Sequence, residues 1–202
     1  AQPVMGWRVG DELVIPDSRK LVDGGKPNEL GWMNQTERRR IAIISFDRKI
    51  ITLDTPLTYD HPGARNALVQ LTFSPWVINT TRNIVFRSEV PGKHHVAWCH
   101  TANTDLEGVQ IDGMGRTTGA PLNSTTNRMG RYACHFHHAS GMKRIKSFSV
   151  TSPTLNNPLR WGITIHGCHD SEILDNVVVN CTGWGIGCEA GNETDNLIKG
   201  NI

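Results

Sequence analysis

Apolar residues along the chain either alternate with polar ones or gather in short runs, and Gly, Pro, Asn and Asp close almost every run. No apolar stripe of helical period persists beyond two turns, so the pattern predicts an all-β protein. Over residues 1–75 it predicts short strands at Glu12 to Ile15, Ile41 to Ser45 and Lys49 to Leu53, separated by polar turns. From about Asn79 the texture changes. Short β runs such as "TTRNIVFRSE", "TDLEGVQIDGMG", "MKRIKSFSV" and "SEILDNVVVN" recur at uneven intervals, the cadence of a solenoid with variable loops. The predicted organisation is a β-rich lead-in over 1–75 and coils of a right-handed parallel β-helix over 76–202.

Three coils can be registered residue by residue. "YACHFHHASG", "WGITIHGCHD" and "WGIGCEAGNE" align with offsets of 29 and then 23 residues. Tyr132, Trp161 and Trp184 fall in one column, Cys134, Ile163 and Ile186 in the next, and Phe136, Ile165 and Cys188 in a third. Because side chains alternate across a strand, all three apolar columns are expected to point into the solenoid. The columns between them are then outward: His135, Thr164 and Gly187 in one, His137, His166 and Glu189 in the other.

That outward pair of columns carries the sharpest chemistry in the sequence. Two imidazoles and a carboxylate on successive rungs, with His135 beside them, can converge on one atom. His137, His166 and Glu189 are candidate ligands for a divalent metal ion as a two-His, one-carboxylate set. Equally, His135, His137 and His166 with Glu189 can act as acid and base near neutral pH. A plain hydrogen-bonded polar face on a solenoid is the competing expectation. His94, His95 and His100 belong to the preceding coil, and His169 follows a turn. Trp32, Trp76 and Trp98 are expected in the core rather than on a sugar-stacking surface.

Charge and composition narrow the function classes. Nearly balanced acids and bases leave a formal charge of +2, without the basic run of a nucleic-acid binder. Arg38, Arg39 and Arg40 form the one basic cluster visible in the sequence, and a solvated strand edge accounts for it. No apolar stretch approaches the roughly 18–20 residues that span a bilayer. The opening Ala1 and the close inside a repeating unit lead us to expect a piece of a longer chain.

Sequons at Asn34, Asn79, Asn123, Asn180 and Asn192 fit a glycosylated, secreted protein. Five cysteines, Cys99, Cys134, Cys168, Cys181 and Cys188, allow at most two internal disulfides, with a Cys168–Cys188 bridge between coils conceivable. There is no GxSxG, HExxH, GxxxxGK or strand-to-helix GxGxxG, which argues against serine hydrolases, helical metalloproteases and nucleotide enzymes.

The ordered series "GWRVGDELVIP", "ERRRIAIIS" and "ITLDTPLTYDH" resembles the end of the extracellular eight-glycine domain of fibrocystin and the cell-migration-inducing hyaluronidase proteins. The segments "TTRNIVFRSE", "GKHHVAW", "IDGMGRTT" and "GRYACHFHH" resemble the β-helix that follows it. The likeness covers most of the chain and departs at "GKHHVAWCH" in its extra His and Cys.

The resemblance implies a secreted or cell-surface protein with hyaluronan or another acidic polysaccharide as substrate class. It implies a substrate-binding set of His95, Asp112, Arg116 and Arg131 beside His135 and His137. Two functions follow as expectations. One is a β-helix that binds, and as a hydrolase or lyase cleaves, an acidic glycan. The other is a structural or adhesive ectodomain, self-assembling or part of a filament, in a larger parent chain.

Overall fold

The computed structural model describes residues 2–19, 33–99, 104–139, 148–151 and 154–202. Among them there is no helix, and the strands divide into two compact units, residues 1–81 and 82–202.

The first unit holds β1 (Glu12–Ile15), β2 (Glu37–Ile44), β3 (Ile51–Leu53), β4 (Ala64–Arg65), β5 (Leu71–Phe73) and β6 (Ile78–Asn79). One antiparallel sheet runs in the order β3, β2, β1, β6, and β4 and β5 form a separate hairpin. Leu13, Ile15 and Ile41 make its buried centre, with Trp7 and Leu53 packed against them. Glu37 is the polar anchor of this unit. It pairs with Arg39, receives N–H bonds from Thr58 and Tyr59, and meets His61 Nε2 at 3.1 Å. Burial raises the Glu37 carboxyl's pKa, but these donors outweigh it and bring it down to about 2. Of the arginine triplet, Arg38 pairs with Glu12 and Arg39 with Glu37, so this cluster is largely compensated. Trp76, expected in the core, is exposed, while Trp32 and the Trp98 side chain lie outside the described residues.

The second unit is a parallel β-helix of four coils. The first coil gives β7 (Ile84–Arg87), β8 (Val96–Cys99) and β9 (Thr104–Glu107). The second gives β10 (Val109–Asp112), β11 (Cys134–His137) and β12 (Phe148–Thr151). The third gives β13 (Thr154–Asn156), β14 (Ile163–His166) and β15 (Glu172–Leu174). The fourth gives β16 (Val177–Val179), β17 (Ile186–Cys188) and β18 (Leu197–Lys199). Every third strand joins the same sheet, so three four-stranded parallel sheets form the faces.

The register read from the repeats is the observed one. Cys134 pairs with Ile163 and then Ile186, and Phe136 with Ile165 and then Cys188. These columns fill the core with Ile111, Leu155 and Ile173 from the other two faces. Corners turn on left-handed residues that also stack: Gly113, Asn157 and Asn180 follow three successive strands of one face with φ of 61°, 53° and 56°. Gly, Asn and Asp tolerate this conformation, which is why they punctuate the sequence. Side-chain amides bond rung to rung as well: Asn180 Nδ2 donates to Asn157 Oδ1 (2.8 Å) and Asn176 Nδ2 to Asn201 Oδ1 (2.7 Å).

Two expectations are corrected. Tyr132, Trp161 and Trp184 do stack, with ring centroids 4.5 and 4.8 Å apart, but outside the tube. Ala133, which follows Tyr132, lies in the core, and the bend there breaks the alternation before β11 begins. Tyr132 therefore packs edge-on to outward His135, and a Cβ on outward Gly187 would meet the Trp184 ring at 2.6 Å. The second correction concerns cross-links: all five cysteines are free thiols, and no Cys168–Cys188 bridge exists. Cys168 is instead a core residue whose Sγ accepts the Ala139 N–H.

Two stability predictions follow from these cores. Phe136→Ala empties a fully buried core position and is expected to destabilise the helix unit by about 3–5 kcal/mol in denaturant unfolding. Glu37 has a depressed pKa, so its contribution is present above the unfolded value of 4.5 and fades as pH falls toward about 2. The stability difference between the native chain and Glu37→Gln is accordingly expected to be full at neutral pH and to shrink through that window.

Candidate functional site

The site is built on the outer face of the sheet formed by β8, β11, β14 and β17. Strand alternation puts His135 and Thr164 in one outward column and His137 and His166 in the next. Glu189 follows β17, and its N–H donates to Ile165 O (2.8 Å), which holds it in the His137–His166 column one rung further on. In the other direction the column continues to Cys99. Parallel in-register pairing thus lines up Cys99, His137, His166 and Glu189, about 4.8 Å per rung.

Side chains converge across these rungs. His137 Nδ1 and His166 Nδ1 lie 3.1 Å apart, within hydrogen-bond reach. Glu189 Oε2 is 3.2 Å from His166 Nδ1 and 3.6 Å from His135 Nε2. Ligand atoms of His135, His137 and His166 all fall within 4.8 Å of one another. Tyr132 completes the cluster by donating its hydroxyl to Glu189 Oε1 (2.7 Å). Burial, with the nearby carboxylate, pushes the Tyr132 hydroxyl's pKa up. The tyrosine stays protonated and keeps the acid oriented.

The aromatic stack keeps the His135–Thr164 column of this outward face dry. His135 is only 4% exposed, although it points away from the core. Burial lowers its pKa, against the opposing pull of the Gly130 carbonyl and Glu189. The ring is therefore neutral at physiological pH, with Nδ1 tied to Gly130 O (2.7 Å). Three polar atoms here, His135 Nε2, Thr164 Oγ1 and Glu189 Oε2, are buried without a hydrogen-bond partner. Each such orphan costs about 1–3 kcal/mol unless something else satisfies it. Half of the buried orphan side-chain atoms among the described residues gather on this one face.

One further imidazole sits at the mouth. His138 is exposed, has φ of 48°, and holds its ring 4.5 Å from that of His137 and 5.0 Å from that of His166. It fits because the next rung carries Gly167, where a Cβ would lie 2.5 Å from His138 Nδ1. Thr164, Tyr132 and His138 were not among the candidates drawn from the sequence. "HFHH" contained the signal for His138, whereas Thr164 becomes notable only through its unpartnered hydroxyl.

The candidate binding residues divide. His95, Arg116 and Arg131 lie near the cluster. Burial first, and then the charges of Arg116, Arg131 and His135, lower the His95 pKa. Asp112 goes elsewhere, because β10 belongs to a different sheet. It accepts from Arg87 Nε (2.8 Å) and Asn156 Nδ2 (3.2 Å) on its own face. Of the sequon residues, Asn34, Asn123 and Asn192 are exposed. Asn180 is exposed but spends its amide on Asn157, and Asn79 is half-buried in β6 with its amide on Asp11.

A parallel β-helix with a recessed histidine–glutamate cluster on one face is the class of protein that this geometry defines. The family described as CEMIP beta-helix matches residues 91–202, and the chain belongs to that family. The chain is 26% identical over its whole length to a G8 domain-containing protein of Dictyostelium discoideum and 26% identical to fibrocystin-L of Mus musculus. It spans 13% of the first and 5% of the second, so these relatives are much larger proteins. No solved structure matches. The coarse location that goes with this family is extracellular or cell-surface. Among the described residues no helix is long and apolar enough to cross a membrane.

The Tyr132–Glu189 bond makes a direct prediction. Tyr132→Phe leaves Glu189 Oε1 without its donor and is expected to cost about 1–3 kcal/mol in thermal or denaturant unfolding. Adding Glu189→Gln to Tyr132→Phe is expected to cost less than the two single changes summed, as a double-mutant cycle would read.

Proposed function

We propose that this protein is a secreted or cell-surface β-helix that binds an acidic polysaccharide and cleaves it at the histidine–glutamate face. The observation that carries the reading is the convergence of buried polar atoms on one face: Glu189 Oε2 lies 3.2 Å from His166 Nδ1 and 3.6 Å from His135 Nε2, His137 and His166 meet at Nδ1, and Thr164 Oγ1 has no hydrogen-bond partner. A rigid rod needs no such gathering of imidazoles about one carboxylate, whereas a substrate or an ion engages these groups together.

The donor set suits a divalent transition ion. Three imidazoles within 4.8 Å of one another, with a carboxylate against two of them, match the nitrogen and oxygen preferences of such metals. His135, His137 and His166 would hold the ion with Glu189 as the acidic partner. When bound, it would supply Lewis acidity toward a sugar oxygen.

The chain's own residues account for the proton chemistry. In an elimination with no ion held by the pair, a neutral imidazole of His137 or His166 takes the proton from the carbon next to a uronate carboxylate. That C–H electron pair forms the new double bond, the glycosidic C–O bond breaks, and the departing oxygen takes a proton from water. Glu189 stabilises the imidazolium that results. Arg116 or Arg131 neutralises the uronate carboxylate through a two-point fork, which makes the abstracted proton more acidic. In a hydrolysis the same imidazole takes its proton from the attacking water.

Purified protein incubated with hyaluronan, with its metal content measured in parallel, tests the proposal. The native chain is expected to shorten the polymer, with a stoichiometric transition ion where the imidazoles act as ligands and without one where they act as the base. His137→Ala/His166→Ala is expected to lose turnover, and affinity for any ion so held, by about 100-fold or more. Unchanged turnover in that double variant of an active protein overturns the assignment of the site. Absence of both metal and shortened polymer in the native chain, with end-to-end assembly in micrographs, establishes the structural or adhesive alternative.

A further inference from the structure

The basic residues that matter most are scattered in the sequence and gathered by one connection. The turns leading into β14 and β17 are short, spanning residues 157–162 and 180–185, but the connection from β10 to β11 runs over residues 113–133. Its two ends are laced together. Arg116 N and Thr117 N both donate to Arg131 O (2.6 and 3.0 Å), and Thr117 Oγ1 donates to Arg128 O (2.7 Å). Gly115 N donates to His94 O (2.8 Å), which ties the preceding coil's histidines to the same corner. Arg160, one rung on, donates from Nη1 to Thr118 O (2.7 Å) and Ala120 O (3.3 Å) and fixes the insertion from the side.

This corner therefore holds Arg116, Arg128, Arg131 and Arg160 with His94 and His95. None of the four guanidiniums has a carboxylate partner among the described residues. The contrast with Arg38, Arg39 and Arg87 is direct, since each of those is paired. Desolvation, and then the like charges of Arg116 and Arg128, lower the Arg131 pKa. These cations thus crowd one another with no anion between them. For a chain whose formal charge is only +2, four uncompensated guanidiniums beside one face concentrate positive potential at the proposed site.

We infer that this arginine corner is a subsite for a sulfated stretch of polysaccharide, so that the glycan taken by this face carries sulfate esters in addition to uronates. The inference rests on the reading of the face as an acidic-glycan site and specifies its substrate class. A polymer such as hyaluronan brings one carboxylate per disaccharide, which pairs with one guanidinium and leaves the others facing each other. A sulfate ester adds a permanent negative charge with several acceptor oxygens, and guanidinium forks engage such oxyanions at two points. The uronate of the same segment then reaches toward His95 and the imidazole pair.

Binding of fluorescently labelled oligosaccharides of equal length, one from heparin and one from hyaluronan, tests this in the full chain at physiological salt. The heparin oligosaccharide is expected to bind at least about tenfold more tightly, with an affinity that falls as salt rises. Arg116→Ala/Arg131→Ala is expected to lose about tenfold or more of that affinity, and Arg116→Lys/Arg131→Lys to recover part of it. Arg40→Ala/Arg65→Ala, a charge-matched change in the other unit, is expected to leave it within about twofold. The thermal midpoint of each variant separates loss of binding from loss of fold.

Equal affinity for the two glycans overturns the sulfate subsite and leaves the acidic-glycan reading standing. Binding of neither overturns both. Equally tight binding of a single-stranded oligonucleotide or of phosphatidylserine vesicles overturns the subsite in favour of a general polyanion surface.

Discussion

Parallel pairing in register is the constraint from which the rest of the helix unit follows. When each strand lies directly above its counterpart at about 4.8 Å, every side chain inherits a neighbour of the same column above and below. Cys134, Ile163 and Ile186 become core in this way, and so do Phe136, Ile165 and Cys188. The same superposition sets His137 over His166 and brings Glu189 alongside. Core and site are two sides of one sheet. A slip of one residue would exchange them, sending imidazoles inward and isoleucines into water. The register is protected by the buried column and repeated at the corners by stacked left-handed residues and bonded amides.

The outer face shows what this economy costs. Tyr132 and Trp161 cover the start of β11 and β14, so His135 and Thr164 are dry although they face away from the core. A dry polar face strengthens every electrostatic interaction within it and penalises every unsatisfied group. Tyr132 satisfies one oxygen of Glu189 and Gly130 one nitrogen of His135, while the other oxygen of Glu189 faces His166 Nδ1 at 3.2 Å and His135 Nε2 at 3.6 Å.

Much of the fold was legible in the residues. Repeats of aromatic, apolar and histidine positions gave the coil register, and β1 was expected over the same four residues that form it. The inward direction of Tyr132, Trp161 and Trp184 was misjudged because strict alternation was carried back through Ala133, Gly162 and Gly185. At Gly162 a Cβ would strike the Gly185 carbonyl at 2.5 Å, so these small residues mark a tight bend and were the available signal. Asp112 was grouped with Arg116 through the family resemblance, yet a solenoid sends consecutive strands to different faces. Of the arginine corner, Arg116 and Arg131 were named through the family resemblance, but Arg128 and Arg160 were missed for the opposite reason. Its members are up to 44 positions apart, from Arg116 to Arg160, and only the lacing of the insertion joins them, while the contiguous triplet at Arg38 to Arg40 is largely neutralised by partners.

The insertion over residues 113–133 is closed at its base by backbone bonds from Arg116 and Thr117 to Arg131. Between its tethers to the coils, Arg160 to Thr118 and Ala120 and His135 to Gly130, the segment hangs off the solenoid without contributing a rung. A lineage carrying this architecture can therefore lengthen, trim or recharge the hanging segment while the stacked coils stay in step. Ornament and scaffold become separately heritable, with one free to drift and the other held fixed.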